Sequence, residues 1–459
     1  MERNRVSRRV DEVSLSRRAF LGAAGALVIP GRRGAQEGQG WRAGAAALDI
    51  TPEGSLWMAG FAARKEPARG VALPLRAKAL ALQAADGAPA VLVTVDLLGV
   101  TARLTGAVAA EAARRHGVAR SHLLFNASHT HCGPIVDAQL AVAYELTPGQ
   151  WEDIRVYTAQ LEGKLVAVIG EALGRLAPAR LAYARGEAAF ARNRRVAFTP
   201  DGPVDHSVPV LRVDGADGAT LAVVFGYACH NTTLQAGFVQ YHGDYAGVAQ
   251  AAVERRHPGV TALFVAGCGA DANPHPRGTI ELVEAHGAAL ADAVLRALPA
   301  AAPLPPGLRA AYGTVDLPFA GAEVRERWMA GLDIDPVYLR RHAALMKEIA
   351  AREGSLPAAQ AAPIQVWRLG PGTGSELMLV AIGGEVVVDY ALRIGREYPD
   401  RRTWAAGYSN DVFGYLPSRR VLREGGYEGA DAMIYYGRPA PFTDAVEDLI
   451  MGEVRRLAR

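Results

Sequence analysis

Cysteine is scarce in this chain: Cys132, Cys229 and Cys268 are the only three in 459 residues. An odd number without paired spacing does not indicate a disulfide framework, even for an exported protein. Each lies beside a residue singled out below, so the simple reading is a small side chain lining a tight site, with a thiol nucleophile as its competitor. Long apolar runs are missing too, so no membrane helix is expected in the mature chain. Charge of one sign is also lacking. The net charge is +3, and residues 1–35 hold eight arginines against three acids, so the basic excess ends there and leaves no footprint for nucleic acid. Internal repeats and low-complexity tracts are absent from the sequence.

What the first residues do hold is a targeting pattern. Ser16-Arg17-Arg18-Ala19-Phe20-Leu21 precedes the apolar run Gly22–Ile29, which is too short to span a bilayer and has the make-up of a signal core. The twin arginine points to the Tat route for folded proteins, hence to a periplasmic or extracellular address. Residues 1–35 are read as this signal and residues 36–459 as one large domain.

After a Gly-rich linker the pattern alternates. Strands are expected at Ala43–Ile50, Ala77–Gln83, Ala90–Val95, Leu123–Asn126, Leu221–Tyr227, Thr261–Val265 and Leu377–Ile382. Helices are expected at Leu104–His116, Trp151–Leu176, Ala246–Arg256 and Ile280–Leu298. The alternation predicts an α/β fold with a mainly parallel or mixed central sheet flanked by helices. The Pro-rich stretch Ala300–Leu308 is read as a connection within the domain. The charged stretch Val324–Glu353 is read as a helical insertion or lid.

Four apolar strands run straight into polar residues. Leu123–Asn126 leads to Ser128-His129-Thr130-His131-Cys132-Gly133-Pro134, and Leu221–Tyr227 to Cys229-His230-Asn231. Thr261–Val265 leads to Gly269-Ala270-Asp271-Ala272-Asn273-Pro274, and Leu377–Ile382 to Gly383-Gly384-Glu385. Ligands of open α/β sheets sit at the carboxyl ends of strands, so these tips are expected to converge on a metal site there. Two imidazoles and a carboxylate suit a hydrolytic zinc, which needs protein ligands and an open position. In an extended segment His129 and His131 point to the same side, so one is free to bind metal while the other contacts substrate or holds a proton.

These residues resemble the catalytic domain of the neutral/alkaline, non-lysosomal ceramidases. The resemblance runs from Asp49-Ile50-Thr51-Pro52 through Leu75-Arg76-Ala77, Asp96, Arg192-Asn193-Arg194 and Val208–Arg212 to the helix Asp444–Leu457. Its most specific pieces are the His-x-His run and the pair Phe413-Gly414-Tyr415 and Gly426-Tyr427-Glu428-Gly429. The resemblance implies one zinc held by His129, His230, Glu385 and Tyr415. It places His131 near the substrate amide and Tyr427 by the oxygen that becomes negative, with His131 or Asp271 moving the proton. The implied substrate is a lipid-like amide in an apolar pocket, and peripheral contact with a membrane surface is compatible with it.

The chain departs from the family in one place that matters: where ceramidases carry a catalytic Ser or Thr before Pro-Asn, it has Ala272. The Ser that follows the family's His-Thr-His is here Cys132, and the family's immunoglobulin-like domain is not expected after the helix Asp444–Leu457. Two further readings therefore stand beside the amidase: an exported metal hydrolase of another ester or amide, and an exported metal- or ligand-binding homologue without turnover.

Overall fold

Along Arg76–Ala84, Ala77, Ala79 and Ala81 face one side and Leu80 and Leu82 the other, and all five are buried. This two-residue period with both faces covered recurs through the fold and fixes how its layers stack. The computed structural model describes residues 40–85, 87–372 and 374–459. The twin-arginine motif and the rest of segment 1–35 lie outside the described residues.

In chain order the strands are β1 (Trp41–Asp49), β2 (Arg76–Ala84), β3 (Ala90–Val95), β4 (Leu123–Ala127), β5 (Ala177–Glu187) and β6 (Ala191–Asn193). Next come β7 (Ser207–Gly215), β8 (Thr220–Tyr227), β9 (Thr261–Ala266), β10 (Ala272–Pro274), β11 (Ala302–Leu304) and β12 (Leu308–Pro318). The last are β13 (Ala359–Leu369), β14 (Leu377–Ile382), β15 (Glu385–Val386), β16 (Arg402–Ala406) and β17 (Tyr415–Leu416). The large sheet has the order β4-β3-β2-β1-β5-β7-β8-β9, with β11 against β5. A second sheet runs β12-β13-β14-β16.

The sheets are mixed, as one of the two expected arrangements has it. Antiparallel pairs dominate, and among the described strands parallel pairs are β3/β4, β8/β9, β14/β16 and the short β15/β17. Apolar runs of this kind point towards parallel strands, since antiparallel sheets usually keep one face wet. Here two sheets stack instead. Leu80, Leu92, Leu181, Val224 and Leu263 of the large sheet bury against Trp367, Leu379 and Trp404 of the small one. Helices Ala102–His116, Pro148–Gly174, Asp244–Arg256 and Ile280–Ala297 cover the opposite face of the large sheet. Val388–Glu397 and Val446–Leu457 cover that of the small one.

The expected helices form within a few residues of their predicted bounds, and Thr101, Thr147 and Thr279 cap three of their starts. Thr147 and Gln150 make a reciprocal capping box ahead of Pro148, so the long helix begins there rather than at Trp151. The stretch Ala300–Leu308 supplies β11, an integral strand beside β5. Val324–Glu353 folds as two helices, Ala322–Gly331 and Pro336–Glu353, the second capped by Asp335.

The large sheet curls until its terminal strands meet. Asn126 on β4 accepts the backbone N–H of Ala266 on β9 at 2.8 Å and donates to the Gly407 carbonyl at 2.8 Å. One buried amide thus ties together the carboxyl ends of β4, β9 and β16.

Candidate metal centre and substrate cleft

The loops leaving β4, β8 and β14 at their carboxyl ends meet where Asn126 draws the strands together. A parallel bridge joins Thr130 to Asn231, which sets His129 and His131 beside His230. Glu385 pairs directly with Tyr415 in the register of β15 and β17. Small residues permit this closeness: a Cβ on Gly269 would lie 2.3 Å from the Cys229 backbone nitrogen. The expected extended geometry of His129-Thr130-His131 is not found. His129 adopts a left-handed conformation with φ +63°, a strained state for a residue with a Cβ and one that clusters at functional sites. The two rings still meet, their Nε2 atoms 3.3 Å apart.

Distances and hydrogen positions decide what this cluster needs. His129 Nδ1 lies 2.7 Å from the Leu98 carbonyl and His230 Nδ1 lies 3.1 Å from that of Gly269. A carbonyl only accepts, so both Nδ1 atoms carry hydrogen, and Nε2 is the atom each ring has left to offer a lone pair. Both Nε2 atoms stand 3.1 Å from the same Glu385 oxygen, Oε2. That oxygen is buried and receives no hydrogen bond from the described residues. The other carboxylate oxygen, Oε1, accepts from the Tyr436 hydroxyl. His230 Nε2 is also 3.2 Å from the Tyr415 hydroxyl oxygen, which accepts from Arg194 Nη2 at 2.8 Å.

Burial and Arg194 push the His230 imidazole down to about 4, and burial with its two histidine neighbours holds His131 well below the usual range. Burial alone would raise the Glu385 carboxyl, and only positive charge at its His129 and His230 contacts outweighs that and holds it well below its ordinary range. Lone pairs that crowd a buried carboxylate oxygen without intervening hydrogens repel one another, and a shared cation relieves them. Ligands of a tetrahedral zinc at roughly 2.0–2.1 Å stand about 3.3 Å from each other, close to the 3.1 Å from Glu385 to each of His129 and His230 and the 3.2 Å from His230 to Tyr415. The donor set therefore fits such an ion. His129, His131 and His230 by themselves bring ring nitrogens within 4.8 Å of one another, a group able to hold a metal.

Above the cluster opens a cleft of about 520 Å³, with His131, His230, Tyr415 and Tyr427 in its wall. The Tyr427 ring meets that of Tyr415 edge-on at 5.3 Å, and the Arg194 guanidinium lies 5.7 Å from both. Arg194 is held by Glu428 at 2.6 Å.

The other expected proton carrier is placed differently. Asp271 is buried and is not among the residues lining the cleft. Its Oδ1 accepts from Val388 N–H, the first residue of helix Val388–Glu397, at 2.9 Å, and its Oδ2 accepts from the Asn193 amide at 3.1 Å. Burial raises its carboxyl to about 6. The cysteines are all buried, and burial pushes Cys132 up to about 12 and Cys229 well above its ordinary value. Thiols so placed stay protonated, which removes the main support for a thiol nucleophile.

Sequence reasoning missed Tyr436 behind Glu385, the Leu98 and Gly269 carbonyls behind the histidines, and the part Asn126 plays. Only Arg194 had a signal, lying in a segment already matched to the family without a role.

The model of the family described as neutral/alkaline non-lysosomal ceramidase, N-terminal, matches residues 41–274. No curated protein matches the chain by sequence. Among solved structures, neutral ceramidase from Pseudomonas aeruginosa superposes with a TM-score of 0.69 at 20% identity, over 91% of this chain and 75% of that one. A ceramidase complexed with C2 gives 0.68 at 18% identity, over 91% and 76%. These likenesses establish the fold, and they extend past the matched segment to the part that carries Glu385 and Tyr415. With the family model spanning just over half of its residues, the chain belongs to the neutral/alkaline non-lysosomal ceramidase family.

Proposed function

We propose that the protein is an exported, zinc-dependent amidohydrolase that cleaves an N-acyl linkage in ceramide or a related lipid-like amide. The observation that carries this reading is the meeting of the His129 and His230 Nε2 atoms on one otherwise unbonded oxygen of Glu385. His129, His230, Glu385 and Tyr415 would hold the ion. Bound there, zinc supplies Lewis acidity, polarising a carbonyl and acidifying water.

The chain's own groups do the rest. Arg194 donates to the Tyr415 oxygen and so favours its anionic form as a ligand. Tyr427, at the cleft wall, donates a hydrogen bond to the carbonyl oxygen as it becomes negative. His131 has a buried Nδ1 without a partner among the described residues, so it is free to take a proton and deliver it to the leaving nitrogen. Water adds to the amide carbon, the C–N bond breaks, and a carboxylic acid and an amine leave. Asp271 acts as a positioning residue, tying β10 to the start of Val388–Glu397.

A second reading, a homologue that binds metal without turnover, is favoured only by Ala272, which leaves no hydroxyl in the segment that follows β9. One experiment separates them: metal analysis of the purified chain together with hydrolysis of ceramide and simpler N-acyl amides, before and after chelation and in His230→Ala. The amidase reading expects about one zinc per chain and metal-dependent release of fatty acid. Full zinc occupancy without release from any amide or ester would leave the binding protein. Among the described residues no helix is long and apolar enough to cross a membrane, and contact with a lipid surface is proposed as peripheral.

A further inference from the structure

The cleft above the cluster carries a guanidinium that no acid among the described residues claims. Three arginines line it, and two are satisfied within the fold. Arg195, its side chain fully buried, gives Nη1 to Glu428 at 2.6 Å and Nη2 to Glu424 at 3.0 Å. Arg194 binds Glu428 and the Tyr415 hydroxyl. Arg277 is exposed, and among the described residues it has neither a carboxylate within ion-pair distance nor a hydrogen bond to its guanidinium. Partial burial works against its charge, and the positive charge of Arg194 repels it.

An unpaired surface arginine is ordinarily a solvated side chain. This one differs in how its backbone is held. It follows Pro274-His275-Pro276 in a loop anchored on both sides: His275 N–H donates to the Phe190 carbonyl at 2.8 Å, and Gly278 N–H to the Thr233 carbonyl at 2.8 Å. The His286 ring donates to the Pro276 carbonyl at 2.7 Å. The loop therefore presents Arg277 to the cleft with little backbone entropy left to lose, which is what a binding group requires. A guanidinium offers a planar fork suited to a carboxylate, sulfonate or phosphate.

We propose that Arg277 is a specificity-determining residue that binds an oxyanion borne by the substrate, so that the preferred substrates are anionic N-acyl amides rather than neutral ones. This rests on the amidase reading for catalysis, since it names the substrate class of the same site. The positive field of Arg277 draws such a substrate in, while its amide reaches towards His131 and His230 in the same cleft.

The test compares zinc-loaded full-length protein on four laurates: the neutral N-lauroylethanolamine, and the anionic N-lauroylglycine, N-lauroyltaurine and N-lauroylphosphoethanolamine. The anionic arms are expected to exceed the neutral one at least tenfold in kcat/KM, and the one that leads identifies the oxyanion. Arg277→Gln should cut that ratio at least tenfold, mainly through KM, and Arg277→Lys should keep most of it. A wild-type ratio near one, or a ratio unchanged in Arg277→Gln, overturns the proposal. Calorimetric binding of the same compounds reads the anion preference independently of turnover. Selective binding without hydrolysis would count against the amidase reading and support the arginine; hydrolysis without selectivity would do the reverse.

Discussion

His129 Nε2 lies 3.1 Å from Glu385 Oε2, and each partner is gripped from behind, the histidine by the Leu98 carbonyl at 2.7 Å and the glutamate by the Tyr436 hydroxyl. Neither side chain is free to turn away, so the repulsion between nitrogen lone pair and carboxylate is built in unless a cation lies between them. Glu385→Gln removes the anionic charge and His230→Ala removes one of few ligands. Either variant is expected to lose most of about one zinc per chain while keeping its far-ultraviolet circular dichroism. Wild-type zinc content in both variants would defeat the proposed ligand set.

Tyr436 touches the cluster only through Glu385 Oε1 and the edge of the Tyr415 ring, 6.3 Å away between centroids. Groups that orient metal ligands are typically worth 10–100-fold in affinity. Tyr436→Phe keeps the ring and deletes the hydroxyl. Competition with a coloured chelator should report zinc affinity weakened by about that factor, and a change under twofold would show that Glu385 is oriented by other groups.

How much of this was legible depended on the kind of signal each residue leaves. His129, His230 and Glu385 stand directly after apolar strands, and that polar break at a strand tip is visible in one sequence. Tyr415 and Tyr427 leave no such mark and came only from likeness to a family. Tyr436, the Leu98 carbonyl and Asn126 were invisible because what they contact lies far along the chain, and backbone carbonyls carry no residue identity at all. The mainly antiparallel pairing was hidden for a different reason. A strand buried on both faces reads the same whether helices or a second sheet cover it, so Ala90–Val95 could not reveal that Trp367 and Trp404 pack behind its sheet.

Gly60 sets the position of the proposed proton carrier. Its φ of +100° is one that side chains rarely allow, its N–H donates to the Tyr144 hydroxyl at 2.8 Å, and an added Cβ would lie 2.2 Å from His131 Nδ1. Gly60→Ala must therefore displace the imidazole or the loop. Misplacing a catalytic group by an ångström costs about 100-fold in rate. Zinc content should persist while kcat falls by roughly that amount, measured on whichever amide the wild type cleaves best. Undiminished kcat would remove His131 from the proton path.

The last prediction concerns Asp411, which is buried in the loop that leads to Tyr415 and accepts the N–H of Ala102, the first residue of helix Ala102–His116, at 3.1 Å. Burial raises its carboxyl from 3.8 to about 6, against the pull of Arg438. Because the folded value is the higher one, the unfolded chain gives up this proton first as pH rises. The folded state then binds more protons, and stability falls from about pH 4 until the folded group has itself ionised near pH 6. Asp411→Asn keeps an acceptor oxygen for Ala102 and cannot titrate. Each tenfold difference in acidity between folded and unfolded chain is worth about 1.4 kcal/mol, so the unfolding free energy of the variant should gain on that of the wild type by about 2 kcal/mol between roughly pH 4.5 and 7. Denaturant unfolding of both proteins at the two pH values measures this difference of differences, in which Asp271 and the other buried acids cancel. A gap that stays constant with pH would mean that Asp411 is ionised in the folded protein throughout, with Arg438 outweighing its burial.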